Sequence, residues 1–397
     1  MFGRSQLSPV IFVCTLALQS NTTEAMDFRE RNTGIEGMID VELAYGLGVR
    51  TEDADPDLVS IANGGKRFNS GNFDDGTLNY DEGDLTSNML RTTGEITLRW
   101  GDIGAYVRGY AFYDYENEDN NRARTELTSE GKEQVGSDAQ LLDANVSARF
   151  TVHDVPMILR LGDQVVNWGE SRFFPTSGVN VANPVDIPLF QQPTSTTRDL
   201  RKPVGMLWGT AHITPLLILE AYYQYDWEKT VLPAQGTFFS TSDGLSPGGR
   251  FIQVTGTAGE FGTDLSERFG IPAATLEAVG IPAFDPDFLQ INQRISADNP
   301  SDSGQYGITL QSIVPSLHDT KFALHFANYH SKIPYFGAIT PSVAAYKAYS
   351  VQAIEALAGA LTEEGVDEAT ATAAAVETQF SRYQSDASYF LQYPENI

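Results

Sequence analysis

The sequence has almost no cysteine, since Cys14 is the one cysteine among its 397 residues. It lies in an apolar run, residues 10–18, that is too short to cross a bilayer as a helix. A basic residue precedes this run and small residues follow it, a pattern typical of an export signal. We therefore interpret residues 1–25 as a signal peptide. The mature chain, residues 26–397, is then expected to contain no thiol for disulfides or thiol catalysis.

Positive charge is also scarce. The chain has 26 lysines and arginines against 52 aspartates and glutamates, which gives a formal net charge of −26. Proteins that bind DNA or RNA neutralise phosphates with basic side chains, so this balance argues against nucleic acid as a partner. Acidic residues concentrate in segments such as 51–88, where residues 53–57 read DADPD. Carboxylates of this kind can bind calcium, but a well-solvated acidic surface is the favoured interpretation.

Catalytic and metal-binding motifs are missing as well. HExxH, CxxC and GxxxxGK[ST] do not occur, and His325 and His330 are spaced to face opposite sides of a predicted strand. Ser171 lies in the stretch WGESR, which lacks the second glycine of a nucleophile elbow. We therefore predict a protein that is not an enzyme and has no cofactor and no metal site. A hydrolase with Ser171 as nucleophile stays open as an alternative.

Long apolar runs are absent after residue 25, but short alternating segments are frequent. Residues 37–50 read GMIDVELAYGLGVR, with apolar side chains at odd positions from Ile39 and polar or small ones at even positions. Successive side chains of a β-strand point to opposite faces, so this segment predicts a strand with one apolar face. The same pattern predicts strands at residues 90–100, 105–115, 142–152, 157–168, 204–214, 217–228, 304–314 and 321–332.

The connections between these nine strands alternate between short and long. Tight links such as 101–104 and 153–156 alternate with long segments such as 51–89 and 169–203. Short turns at one end and long loops at the other are typical of outer-membrane barrels, whereas a soluble β-sandwich has no reason to keep this order. We therefore predict an all-β fold, an antiparallel transmembrane β-barrel of about nine strands. Its long outward loops are expected to contain helical insertions at about residues 264–280 and 342–383.

The polar faces of the predicted strands would line the inside of such a barrel. The candidate substrate-binding or lumen residues are Arg108, Tyr110, Arg149, Arg160, Gln164, Trp168 and Glu170. One interpretation is a structural ladder of charges that pair across strands. The other is a channel lining that selects solutes by charge and width, and the two are compatible. By the same alternation, Leu142 is assigned to the apolar face and Gly162 is expected to leave room in the lumen.

The run Arg160-Leu-Gly-Asp-Gln164, followed by Asn167-Trp-Gly-Glu-Ser171 and Asn183-Pro-Val-Asp186, resembles the core signature of a Gram-negative family catalogued as domain of unknown function 1302. The segment Tyr393-Pro-Glu-Asn-Ile397 resembles a motif internal to that family. The resemblance implies an outer-membrane β-barrel. The family's genes often neighbour transporters of the resistance-nodulation-division type, which implies envelope transporter components as partners. Family members continue beyond the Tyr-Pro-Glu motif, so we expect this chain to be truncated and its barrel to be incomplete.

The expected protein is therefore exported to the outer membrane, in contact with lipid and lipopolysaccharide. Its expected role is the passage or binding of small hydrophobic molecules. The first alternative is a structural or assembly partner of an envelope efflux or lipid-export system with no pore of its own. The second alternative is an outer-membrane hydrolase.

Overall fold

The fold is given by a computed structural model. It describes residues 26–30, 33–60, 63–66, 73–119, 122, 124–168, 180–242, 244–249, 251–254, 290–339, 351–363, 367–368, 370–372, 374–375 and 388–397. The predicted signal peptide, the predicted helical insertion at 264–280 and two candidate residues, Glu170 and Ser171, lie outside these ranges. Within them, no helix has the length and apolar character needed to cross a membrane.

Ten antiparallel strands form the main sheet, in the order β1-β2-β3-β4-β5-β6-β7-β8-β11-β12. Their bounds are β1 Met26–Glu30, β2 Ile35–Val49, β3 Leu85–Trp100, β4 Ile103–Asp114, β5 Ser137–Val152, β6 Val155–Gln164, β7 Val204–Thr214, β8 Leu217–Gln224, β11 Gln305–Val314 and β12 Thr320–Asn328. All nine predicted strands are confirmed, and β1 is an additional edge strand. Among the described residues the two edge strands, β1 and β12, do not pair with each other. The structure therefore establishes a large antiparallel sheet, and its closure into a barrel stays a prediction.

Tight turns join the strands at one end of this sheet. Between β5 and β6, His153 and Asp154 both have positive φ, 49° and 64°, as a two-residue hairpin turn of the favoured twist requires. Gly101 has a φ of 57° between β3 and β4, and His318 and Asp319 have φ of 58° and 57° before β12. The long connections leave from the other end, so the predicted alternation of short and long connections is confirmed.

The two faces of the sheet differ in polarity. We call the face that contains Arg91, Arg108 and Gln164 the inner face, and these three side chains are buried. The opposite, outer face exposes apolar side chains on nearly every strand. Examples are Val41, Leu43, Leu90, Val146, Leu159, Leu161, Leu207, Ile308, Leu310 and Leu324. The predicted alternation of polar and apolar side chains is thus confirmed, and the apolar set lies on the surface.

A β-bulge in β5 changes the face of one predicted residue. Val107 pairs with Ala144 but Gly109 pairs with Leu141, so Leu142 and Asp143 together oppose Arg108. Both are buried, whereas Leu141 is 63% exposed. The assignment of Leu142 to the outer face is therefore wrong. The extra residue of the bulge interrupts the two-residue period from which the assignment was made.

Three predicted strands end earlier than expected. β6 ends at Gln164, β8 at Gln224 and β12 at Asn328, and each end lies four residues before the predicted one. Trp168 therefore follows β6 and does not belong to it. Val166 and Trp168 after β6 are buried, whereas Tyr225 after β8 is 44% exposed, so composition alone did not mark the ends of the strands.

A second, four-stranded sheet was not predicted. It has the order β13-β14-β10-β9, and its strands are β9 Phe251–Val254, β10 Gln290–Arg294, β13 Tyr335–Ile339 and β14 Ser388–Gln392. The helices are α1 Asp75–Leu78, α2 Tyr115–Asp119, α3 Ser129–Val135, α4 Ile187–Gln191 and α5 Val351–Glu363, with 3-10 helices at Thr197–Leu200 and Pro315–Leu317. Most of the described residues of the predicted insertion at 342–383 are helical, and α5 is its main element.

The backbone conformation at Gly162 in β6 requires a glycine. Its φ is 125°, and a Cβ at this position would clash with the carbonyl oxygen of Ala144 on β5. The idea that Gly162 leaves room in the lumen is wrong, because the space beside it is occupied by the neighbouring strand.

We expect Gly162→Ala to destabilise the protein by at least about 2 kcal/mol, because alanine must adopt a left-handed backbone and displace β5. Gly94→Ala in β3 is the matched control, since nothing lies within 4 Å of a Cβ there. It should leave stability unchanged or raise it by about 0.5–1 kcal/mol. Urea unfolding followed by tryptophan fluorescence measures both. Equal midpoints for the two variants would contradict this account of Gly162.

Candidate functional site

The long connection between β6 and β7 folds back over the inner face of the sheet. We call residues 180–203 the inner loop. It contains α4, the 3-10 helix at Thr197–Leu200 and a bridge between Val185 and Arg201. Asp186 caps α4 by accepting a hydrogen bond from the Leu189 N–H at 3.0 Å. Burial raises the pKa of the Asp186 carboxyl to about 6, although the Leu189 N–H opposes the shift.

A buried ion-pair network holds the inner loop to the sheet. Asp199 of the loop accepts from Arg91 Nη1 at 3.1 Å and from Arg108 Nη1 at 3.2 Å. Arg108 Nε also donates to Asp143 of the bulge at 2.8 Å. Two guanidiniums are thus balanced by two carboxylates, which a buried charge cluster needs in order to be tolerated.

Asp199 also stabilises the turn in which it lies. Its Oδ2 accepts from the Thr196 N–H at 2.8 Å and from the Thr196 hydroxyl at 3.1 Å. Burial alone would raise the pKa of the Asp199 carboxyl, but the hydrogen bond and charge of Arg91 outweigh it and hold that pKa below its usual value. The carboxylate is therefore the ionised centre on which the inner loop folds.

Tyr110 packs beneath the inner loop. Its ring lies 4.8 Å from the guanidinium carbon of Arg91 and is stacked on Phe112 at 6.0 Å. It belongs to a buried cluster with Met89, Phe112, Leu142 and Leu189. The candidate residue Tyr110 is thus on the inner face as predicted, but it supports the loop and has 7% exposure.

Gln164 and Val166 fasten the corner after β6 to the inner loop. Gln164 Nε2 donates to the carbonyl oxygen of Met206 at 2.9 Å, and Gln164 is only 1% exposed. The Asn183 side chain accepts from the Val166 N–H at 2.9 Å and donates to the carbonyl oxygen of Gln164 at 3.0 Å. These contacts explain why Gln164 and Asn183 both occur in the sequence signature, and they give Gln164 a structural role.

Trp168 is turned inward and buried. Its Nε1–H donates to Glu220 at 3.0 Å, and its ring contacts Tyr222 at 4.9 Å and His325 at 5.8 Å between centroids. The Asn180 side chain accepts from the Trp168 backbone N–H at 2.5 Å. Trp168 thus connects the inner loop to β8 and β12. Its exposure of 2% shows that it does not lie on the outer face, where the aromatic girdle of a membrane barrel is found.

A cavity of about 980 Å³ lies between the inner face of β3–β6 and the inner loop. Its lining includes the candidate residues Arg108, Arg149 and Arg160, whereas Tyr110, Gln164 and Trp168 are not among the lining residues. Sequence analysis missed the part of the lining that the inner loop supplies. Those residues include Asn180, Phe190, Thr197, Arg198, Leu200 and Arg201. The NPVD stretch marked the loop in the sequence, but no periodicity indicated that it folds inward.

The charge interactions between strands are only partly the ladder that was expected. Arg198 of the inner loop donates to Glu95 and to the Tyr106 hydroxyl, which itself donates to Glu95 at 2.8 Å. Arg108 and Asp143 pair across adjacent strands, as a ladder requires. The other partners, Arg198 and Asp199, belong to the inner loop. The charges of the inner face are therefore neutralised both by the inner loop and by residues of the neighbouring strands.

We expect Asp199→Asn to release the inner loop from the sheet. The change leaves Arg91 and Arg108 with too little negative charge in a buried place, which costs about 3–5 kcal/mol. Limited proteolysis should cut within residues 180–203 faster than in the unchanged protein. Glu95→Gln, which disrupts a more exposed ion pair, is the control and should cost about 1 kcal/mol or less. Equal cutting rates in the two variants would refute the role of Asp199.

The comparisons with known proteins agree with the resemblance found in the sequence. A family model described as "Protein of unknown function (DUF1302)" matches residues 7–397. No curated protein and no solved structure matches the chain. The matched range contains the inner loop, the arginine-lined cavity and all described strands, and the chain belongs to the DUF1302 family.

Proposed function

We propose that the main sheet is the wall of an outer-membrane β-barrel whose inner face binds a small molecule during its passage. The observation that carries the proposal is the exposed apolar outer face, which extends from β2 to β12. Monomeric soluble proteins rarely expose contiguous apolar patches of this extent, and lipid is the surrounding that such a face fits. The tight turns at one end and long connections at the other support the same placement.

The proposal imposes a condition on the edges of the sheet. Unpaired backbone N–H and C=O groups cost several kcal/mol each in hydrocarbon. In the membrane, β1 and β12 must therefore pair with each other or with further strands. On the inner side, Arg108 and Asp143 are buried beside the cavity and beneath the inner loop, which would keep these charged groups away from lipid.

Lipid contact can be tested with single cysteines in a Cys14→Ser background. Leu161→Cys places a thiol on the outer face, where Leu161 is 48% exposed, and Ser147→Cys places one in the cavity lining. With an environment-sensitive dye on each thiol, nitroxide-labelled lipid should quench the dye at 161 and spare the dye at 147. Equal quenching at both positions, or protein that stays in buffer without lipid, would exclude the membrane wall.

Passage can be tested by conductance of the purified chain in planar bilayers. The inner loop lies across the inner face, so the unchanged protein should conduct weakly, and Asp199→Asn should raise the conductance by at least severalfold. Glu95→Gln is the control and should leave it near the unchanged level. No conductance from any of the three proteins would exclude passage and favour the structural or assembly partner.

A further inference from the structure

The cavity under the inner loop concentrates positive charge in an otherwise acidic protein. Among the residues that the structure describes, its lining contains six arginines but only two carboxylates, Asp102 and Asp143, although the chain has a net charge of −26. The arginines are Arg99, Arg108, Arg149, Arg160, Arg198 and Arg201. A low-dielectric cavity with one excess sign attracts ligands of the opposite sign.

Part of this charge is neutralised within the protein and part is not. Arg108 is paired with Asp143 and Asp199, and Arg198 is paired with Glu95. Among the residues that the structure describes, Arg149 and Arg160 form no ion pair. Asp143 is not a free counter-ion for these two arginines, because its carboxylate already accepts a hydrogen bond from Arg108 at 2.8 Å.

Arg160 is held in place without a carboxylate. Its guanidinium carbon lies 4.9 Å from the ring centroid of Trp208 on β7, an arrangement that orients the guanidinium plane and leaves its N–H groups available. Arg149 is the more exposed of the two, and both line the same cavity. A planar guanidinium matches a carboxylate or a phosphate with two parallel hydrogen bonds.

The cavity also offers an apolar wall. Phe190 and Leu200 of the inner loop and Val165 after β6 line it together with the arginines. A volume of about 980 Å³ is in the range of sites that enclose a small organic molecule. The lining therefore suits a ligand with one charged end and one apolar part better than a neutral hydrocarbon or a bare inorganic ion.

We propose that this cavity binds a small organic anion, in which a carboxylate or phosphate contacts Arg149 and Arg160 and an apolar body packs against Phe190. The proposal deepens the function proposed above, on which it rests for the ligand's route across the membrane. It narrows the expected class from hydrophobic molecules to amphipathic anions. Binding can be measured without passage, so failure of one proposal is distinguishable from failure of the other.

The test is isothermal titration calorimetry on the full chain, in phosphatidylcholine nanodiscs or in buffer if the chain needs no lipid. The probes are benzoate, its neutral analogue benzamide, phenyl phosphate and inorganic phosphate. Benzoate or phenyl phosphate should bind at least about tenfold more tightly than benzamide, as expected when a charge-assisted hydrogen bond is lost. Which of the two anions binds more tightly identifies the carboxylate or the phosphate as the preferred group.

The variants Arg149→Gln and Arg160→Gln should each weaken anion binding by about tenfold and leave the weak binding of benzamide unchanged. If Arg160→Gln folds poorly, Arg160→Lys replaces it as the test variant. Lysine keeps the charge, so this variant should retain part of the affinity for the anion. Arg124→Gln is the control, because Arg124 pairs with Asp75 outside the cavity. Unchanged affinity in both arginine variants, or benzamide that binds as tightly as benzoate, would overturn the proposal. Inorganic phosphate that binds as tightly as phenyl phosphate would overturn its organic part.

Discussion

Asp199 is the residue on which the inner side of this protein depends. It reaches from the inner loop to the sheet and accepts hydrogen bonds from Arg91 and Arg108, while Asp143 takes the remaining charge of Arg108. None of these groups would be tolerated alone in a buried position, since an unpaired buried charge costs several kcal/mol. The loop and the sheet therefore each require the other to be folded. The folded loop covers the aromatic cluster around Tyr110 through Leu189 and forms one wall of the cavity.

The same constraint explains the unusual distribution of polarity. In most soluble domains apolar side chains are inside, but here the inner face buries arginines, aspartates and glutamine while the outer face exposes leucine, valine and isoleucine. An inverted distribution of this kind is stable only if the outer surroundings are apolar and the inner polar groups have partners. The hydrogen bonds of Gln164 and Asn183 at the corner after β6 and the ion pairs of Asp199 supply partners of this kind around the inner loop. The signature residues of the sequence therefore serve first to satisfy the inner face.

The strands could be predicted from sequence because each has one mainly apolar face, and that two-residue period is visible in segments such as 37–50 without any knowledge of tertiary contacts. Leu142 was misassigned because a bulge is invisible to a strict period. The inner loop could not be placed because its residues are held by side-chain contacts at long sequence separation, Asp199 with Arg91 above all. The second sheet was missed for a related reason, since its four strands have only 4–5 residues each and show too few alternations to stand out. Arg149 and Arg160 were correctly predicted to lie on the inner face, but the part of the cavity lining that the inner loop supplies was not predicted.

The charge pattern of the chain acquires a physical meaning once both sides of the sheet are considered. Carboxylates predominate in the connections at the long-loop end, whereas the cavity lining has six arginines against two carboxylates. If the excess of acidic residues served only to keep the protein soluble, the sign of the charge in the cavity lining would not matter. The lining of the cavity reaches the tight turn between β3 and β4 through Arg99, Asp102 and Gly104, so its arginines are separated along the strands from the acidic connections at the other end. Screening at physiological salt limits the reach of exposed charges to about 8 Å, so the acidic connections do little to weaken the attraction of the arginines for an anion. The excess of arginine in the lining favours an anion on electrostatic grounds, and the apolar contact with Phe190 favours an anion that is amphipathic.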